Sequence, residues 1–291
     1  MVKSKVEAIK ESKAWEGIEG MLNTIWKKKG KCEGNQTRKG SELEEDEDEV
    51  GRPWTLPRRI ICLGLGSPKD SRVAQFQLAL LLIFRDHVDE ILRSGSTSPN
   101  LSEEIVVDRL EKVSGGQESP KCSVEAFDPI FDREDRDLLS YFGVQAPLEN
   151  KVGDYPVQEG EPTLFYMPHC GLGLYERVLR SNWSTERLAH LLLCCNELEN
   201  YRLGMRDSEL KESYPCVHRF VNRIESKRLP NLAKPNSDCF NDTAFQRFVG
   251  FDKRGGEQGG NDPEEEFFRS LSSGNRSETM TSEGGGEGFV H

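Results

Sequence analysis

A histidine and a cysteine stand side by side at the end of an apolar run, in Thr163-Leu164-Phe165-Tyr166-Met167-Pro168-His169-Cys170. As a pair, His169 could serve as a general base and Cys170 as a nucleophile. The plainer alternative is a histidine that satisfies loop backbone beside a buried thiol, since chain neighbours need not face each other and no third group is positioned by spacing. Either way the local pattern places them. Five β-favouring residues stop at Pro-His-Cys, and a Gly-rich turn and a helical pattern from Leu172 to Leu179 follow. That predicts a buried parallel strand delivering both side chains to its carboxyl end, where open α/β sheets bind ligands.

Other chemistry-bearing residues fall at comparable places. Arg58 to Leu63 is a short apolar strand followed by Gly64-Leu65-Gly66-Ser67, with Pro68 where a first helical turn accepts proline and Ser67 able to cap it. Gly64, Gly66 and Ser67 would let a ligand approach the backbone, and the helix N-terminus favours an anion. The third glycine of the dinucleotide fingerprint is missing, so this turn alone is a weak nucleotide signal. Asp128 ends a second strand, Cys122 to Phe127; it either accepts ribose hydroxyls or forms the turn before Pro129. Asn150 follows a weaker third strand, Val144 to Leu148, and Asn196 follows a fifth apolar stretch, Leu188 to Cys195. The catalytic candidates are therefore His169, Cys170 and Asp128. The ligand-binding candidates are Gly64, Gly66, Ser67, Asp128, Asn150, His169 and Asn196, with a nucleotide-like small molecule as the ligand class. The eight cysteines include no C-x-x-C pair, so no metal site is expected and buried reduced thiols are. No cofactor is named by the residues.

The elements that must position these groups alternate strand and helix. Helices are expected from Val73 to about Leu92, Asp132 to Phe142 with Gly143 as C-cap, Leu172 to Ser181, Glu197 to Met205 and Ser208 to Arg228, with Phe240 to Phe245 packing back as a terminal element. The fold class is α/β: a Rossmann-like open, mostly parallel sheet of about five strands, with helices on both faces and disordered termini. Residues 53–251 would form the domain, with an insertion near 94–120 that carries a short helix from Ser102 to Lys112. Residues 1–52 read as an amphipathic helix and a charged linker. Val2, Val6, Ile9, Ile18, Met21, Leu22, Ile25 and Trp26 recur at near-helical spacing, which suits a helix docked loosely on its own domain, with a partner or membrane surface as the alternative. Residues 252–291 are an acidic Gly/Ser/Glu-rich tail with no core-forming pattern.

Charge excludes one class of partner. The net charge is −11, and the run Glu42 to Glu49 alone carries seven acidic residues. Between Val50 and Phe251 the charges nearly balance, so direct nucleic-acid binding is not expected. The longest apolar run, Leu78 to Phe84, is far short of the roughly 20 residues a membrane helix needs. No signal-peptide core opens the sequence, and the expected location is the cytoplasm or the nucleus.

Several motifs together resemble the Sensitivity to Red Light Reduced family, whose shared region is the SRR-like domain. They are Cys62 to Ser67, Gln77 to Leu82, Phe127 to Phe131, Pro162 to Cys170, Leu174-Tyr175, Asn182-Trp183 and Phe240 to Thr243, in order from about Ile60 to Phe248. The late Phe-Asn-Asp-Thr is most similar to animal members. Departures are Cys195-Asn196-Glu197-Leu198 in place of the family's Gly-Asn-Ser-Phe, the long 94–120 stretch, and loss of most of a Glu-Asn-Glu-Glu-Gly run at Glu149-Asn150. The resemblance implies a regulatory protein, linked in animals to circadian rhythm and haem biosynthesis, in plants to light signalling and in yeast to microtubule stability, acting through unidentified protein partners or a small ligand. No reaction is established for the family. A transferase or hydrolase of a nucleotide-like ligand, and a scaffold with a vestigial crevice, are the competing readings.

Overall fold

The computed structural model describes residues 1–26, 54–95, 121–250 and Phe267 of the 291-residue chain. Six strands form one sheet: β1 (Arg59–Leu63), β2 (Ser123–Phe127), β3 (Thr163–Met167), β4 (Leu191–Asn196), β5 (Ile224–Arg228) and β6 (Thr243–Phe248), in the order β2-β1-β3-β4-β6-β5. The first four run parallel, while β6 is antiparallel to both β4 and β5. The chain is thus α/β with a mostly parallel sheet, one strand larger than the sequence indicated.

The period-two alternation of the apolar strands splits the core into two layers. Ile60, Cys62, Leu164, Tyr166, Leu192 and Cys194 point to a layer with α1 (Val2–Lys10), α2 (Trp15–Ile25) and α3 (Arg72–Gly95). Ile61, Leu63, Phe165, Met167, Leu193 and Cys195 point to the other, with α5 (Leu172–Ser181), α6 (Thr185–Ala189), α7 (Leu198–Gly204), α8 (Asp207–Ser213) and α9 (Pro215–Val221). Strands this apolar on both faces need cover on both, and they have it. The remaining helix, α4 (Arg133–Tyr141), starts at a capping box: the Asp132 carboxylate accepts from Asp135 N at 2.9 Å, and the Asp135 carboxylate from Asp132 N.

Four expectations are corrected. Val144 to Leu148 is not a strand: only Gln145 bridges to Glu125, because Pro147 cannot donate and the Arg136 guanidinium takes the carbonyls of Ala146 and Pro147, each at 2.8 Å. The stretch from Leu188 divides, Leu188 closing α6 and the strand starting at Leu191. The helix expected over Ser208 to Arg228 breaks at Pro215, which opens α9, and its last residues become edge strand β5. There Glu225 pairs with Arg247 of β6 at 2.7 Å, so the charges that imitate a helix surface are those of a protected sheet edge. Finally, residues 1–26 form two helices split at Ser12, and they are firmly seated. Val2, Ile9, Ile18, Leu22, Ile25 and Trp26 are all buried, and the Trp26 ring meets Phe245 edge-on at 5.6 Å.

The charged linker of 30–52, the helix of 102–112 and most of the insertion and tail lie outside the described residues. Phe267 is the described residue beyond Gly250. It packs on Trp183 at 5.4 Å and under the Arg219 guanidinium at 4.1 Å.

Candidate functional site

The carboxyl ends of the central strands come together, and hydrogen bonds tie them to one another. After β1 the chain turns through Gly64 and Gly66 with φ of 67° and 74°, the left-handed region that glycine enters freely. Gly64 must be glycine for a second reason: a Cβ there would stand 2.5 Å from Cys170 Sγ. The Cys170 thiol donates to Leu63 O at 3.3 Å, which bridges the ends of β3 and β1. His169 has φ of 56°, strained for a residue with a Cβ, and Asn196 at the end of β4 holds it by accepting from His169 N at 3.0 Å. Asn196 is fixed in turn by donating to Tyr201 OH at 2.9 Å. The exposed His169 ring meets Cys239 O through Nε2 at 3.3 Å, and since a carbonyl only accepts, the ring proton sits on Nε2.

The Gly64 and Gly66 amides and the Ser67 hydroxyl of the glycine turn are already used, Gly64 N donating to Phe127 O at 3.2 Å. Gly66 N donates to Asp128 Oδ2 at 2.8 Å, and Ile130 N donates to Asp128 Oδ1 at 3.0 Å. The Ser67 hydroxyl and Lys69 N both donate to Asp135 Oδ1, at 2.9 and 3.0 Å. Where a phosphate would approach, two buried carboxylates of the chain itself take its place. Asp128 therefore does the turn-forming work, and it also locks β2 to β1. The thiol is equally committed: burial, with the Asp128 charge adding to it, pushes Cys170 up to about 12. At neutral pH it is a protonated thiol, not the thiolate that a nucleophile requires.

Of the sequence candidates, Gly64, Gly66, Ser67, Asp128, His169, Cys170 and Asn196 share this edge. Asn150 does not. It forms a local turn, accepting from Val152 N at 2.8 Å, and its neighbour Lys151 pairs with Glu125 in the middle of β2. That neighbour leads to a different place. A half-open groove of about 940 Å3 lies at the amino ends of β1, β3 and β4, lined by Arg59, Lys151, Tyr155 and His190 among others. None of these four was a candidate: Arg59 and His190 stand at strand starts and Lys151 and Tyr155 in a loop, none at a strand's carboxyl end.

A family description, SRR1 domain, matches residues 42–247, more than half of the chain. The chain belongs to the SRR1 domain family. The mouse SRR1-like protein is 31% identical over 166 residues, 57% of this chain and 55% of its own length. The fruit-fly SRR1-like protein is 27% identical over 133 residues, 41% of this chain and 46% of its own. The Arabidopsis protein SENSITIVITY TO RED LIGHT REDUCED 1 is 32% identical over 79 residues, 27% of this chain and 28% of its own. The chain thus spans about half, or less, of the length of these relatives. No solved structure matches.

The geometry gives the recognisable residues of this SRR1 domain structural work. Gln77 donates to Cys239 O at 3.4 Å while its own carbonyl accepts from the buried Tyr166 hydroxyl at 3.0 Å, which joins α3 to β3. Asn182, fully buried, clamps the loop after Asn150: it accepts from Val157 N at 2.6 Å and donates to Tyr155 O at 3.1 Å. Among the described residues no group of three or more His, Cys, Asp or Glu is arranged to hold a metal, and no helix is long and apolar enough to cross a membrane.

Proposed function

We propose that this SRR1 domain is a regulatory protein that works through protein partners in rhythm- or light-linked control, with its carboxyl edge closing the fold and carrying out no reaction. One observation carries the reading: the candidate side chains at that edge are spent on the protein's own groups, most of them backbone. Asp128 serves two amides, the Cys170 thiol stays protonated on Leu63 O, and the His169 ring donates to Cys239 O. The regulatory part rests on family membership and on the red-light response in the Arabidopsis relative's name. Circadian timing and control of haem biosynthesis, in cytoplasm or nucleus, are the finer roles that the resemblance implies. The second reading, a transferase or hydrolase of a nucleotide-like ligand, keeps one observation in its favour, the left-handed backbone at exposed His169.

The test is complementation in mouse cells depleted of their SRR1-like protein, read by a rhythmic transcription reporter. The chain and its His169→Ala variant should restore the rhythm equally. Restoration by the unaltered chain and failure of a folded His169→Ala variant would move the function to crevice chemistry.

A further inference from the structure

The groove at the amino ends of β1, β3 and β4 is built differently from the carboxyl edge. Its inner wall carries two polar atoms that are buried and have no hydrogen-bond partner among the described residues, Tyr155 Oη and His190 Nδ1. The Tyr155 side chain is 2% exposed. Leaving a buried hydroxyl unpaired forfeits its hydration, a cost a fold avoids unless something else pairs with it. In the same wall two cations share one carboxylate: Arg59 reaches Glu125 at 3.1 Å and Lys151 reaches it at 3.4 Å. Lys151 also lies over the Tyr155 ring at 4.9 Å, which brings the cation and the unpaired phenol together.

The outer rim has the opposite sign. Asp154, Glu159 and Glu186 line it and are exposed, against one exposed cation, Arg187. A polyanion such as a nucleotide would meet three carboxylates on entry. A single carboxylate that passes the rim meets the two cations that share Glu125, the Tyr155 hydroxyl as donor and the His190 nitrogen. Between rim and wall, Pro156, Val157 and Ala189 offer apolar surface to the rest of the molecule. The backbone of the wall is held before any ligand arrives, and small side-chain movements open Tyr155 Oη and His190 Nδ1 to it. Asn182 holds both ends of Tyr155 to Val157, Ser181 Oγ donates to Gly153 O at 3.4 Å, and a Cβ at Gly153 would meet Arg177 Cβ at 2.8 Å. A preformed wall spares the ligand the cost of ordering it. The volume, about 940 Å3, is of the size that takes a small organic molecule.

We infer that this groove is a binding site for a small apolar monocarboxylate, its carboxylate held by Arg59, Lys151, Tyr155 and His190 and its remainder neutral or cationic at the acidic rim. The site is separate from the carboxyl edge, and its standing does not depend on the function proposed above. The test is ligand-observed and 15N-detected NMR on the full chain with benzoate, its zwitterionic analogue 4-(aminomethyl)benzoate, and AMP as the multiply charged comparison. Both carboxylates should bind, AMP should bind more weakly than either, and amide shifts should cluster at Tyr155, Val157 and His190. Tyr155→Phe should weaken benzoate about fivefold, the loss of one hydrogen bond, with no loss of thermal stability. Lys151→Met, a change at a part-exposed side chain, should weaken it as well. No shift at these amides with millimolar benzoate in the unaltered chain would overturn the site, and so would AMP binding more tightly than the carboxylates or unchanged binding in Tyr155→Phe.

Discussion

The two ends of the sheet hold polar groups in opposite states. At the carboxyl edge, Asp128, Asp135, Ser67, Cys170 and Asn196 are each paired within the chain. At the amino edge, Tyr155 Oη and His190 Nδ1 are buried and unpaired beside a groove, with two cations sharing one carboxylate. The residue types that suggest chemistry cluster at the first edge, and the unmet demand for a partner lies at the second. A histidine and a thiol at a strand end show only that the fold can place them there. Whether they are available is decided by what already occupies them, and an exposed site leaves its groups free where a structural closure uses them up.

This contrast can be broken or sharpened at several points. The largest effect is expected at Gly64. Gly64→Ala adds a Cβ 2.5 Å from Cys170 Sγ in a left-handed backbone and should destabilise the fold by more than about 3 kcal/mol in urea unfolding. Combining it with Cys170→Ala should recover part of that loss; strictly additive costs would show that the two strand ends are not in contact. Next comes Asn182→Ala, which frees the groove wall from its clamp. A loss of roughly 2 kcal/mol is expected, together with loss of benzoate binding in the folded variant. Unchanged binding would show that the wall is not held by Asn182.

A smaller effect should appear with pH. The Cys170 thiol ordinarily ionises at 9.0 and is pushed up to about 12 in the fold, and Cys122 is also raised to about 12. Above pH 9 the unfolded chain loses these protons while the folded one keeps them, so the unfolded state is favoured. The stability these thiols contribute should therefore be flat below pH 9 and fall between pH 9 and 12, at up to about 1.4 kcal/mol per pH unit for each such thiol. Cys170→Ala should make the fall shallower. The same slope in Cys170→Ala would mean that the thiol titrates normally and is available for chemistry.

Much of this was legible in the sequence where a single element decides it. The all-apolar β3, the glycine turn after β1 and Gly143 at the end of the Asp132 to Phe142 pattern fix their elements locally, so β1 to β4 and the gathering of His169, Cys170, Asp128 and Asn196 follow from pattern alone. What was not legible depends on partners distant in sequence. Arg136 takes the carbonyls of Ala146 and Pro147, which diverts the backbone that would have made a strand after Gln145. β5 looks like a helix surface until Arg247 is placed beside Glu225. The docking of Ile9, Ile18 and Trp26 needs α3 and Phe245 to be present. The groove is the clearest case. Arg59 opens β1, His190 precedes β4, Lys151 and Tyr155 sit in a loop, and only the pairing of β1, β3 and β4 brings them together. Asn182, recognisable as a motif residue, gave no sign of clamping that loop.

The measurement closest to the central claim is urea unfolding of two isosteric variants side by side, Asp128→Asn at the carboxyl edge and Tyr155→Phe at the amino edge. Asp128→Asn turns one acceptor toward a backbone amide into a donor and should cost about 1–3 kcal/mol, whereas Tyr155→Phe removes an unpaired hydroxyl and should cost nothing or stabilise slightly. Equal losses in the two variants, or a larger loss in Tyr155→Phe, would contradict the account of one edge as a paired closure and the other as an open site.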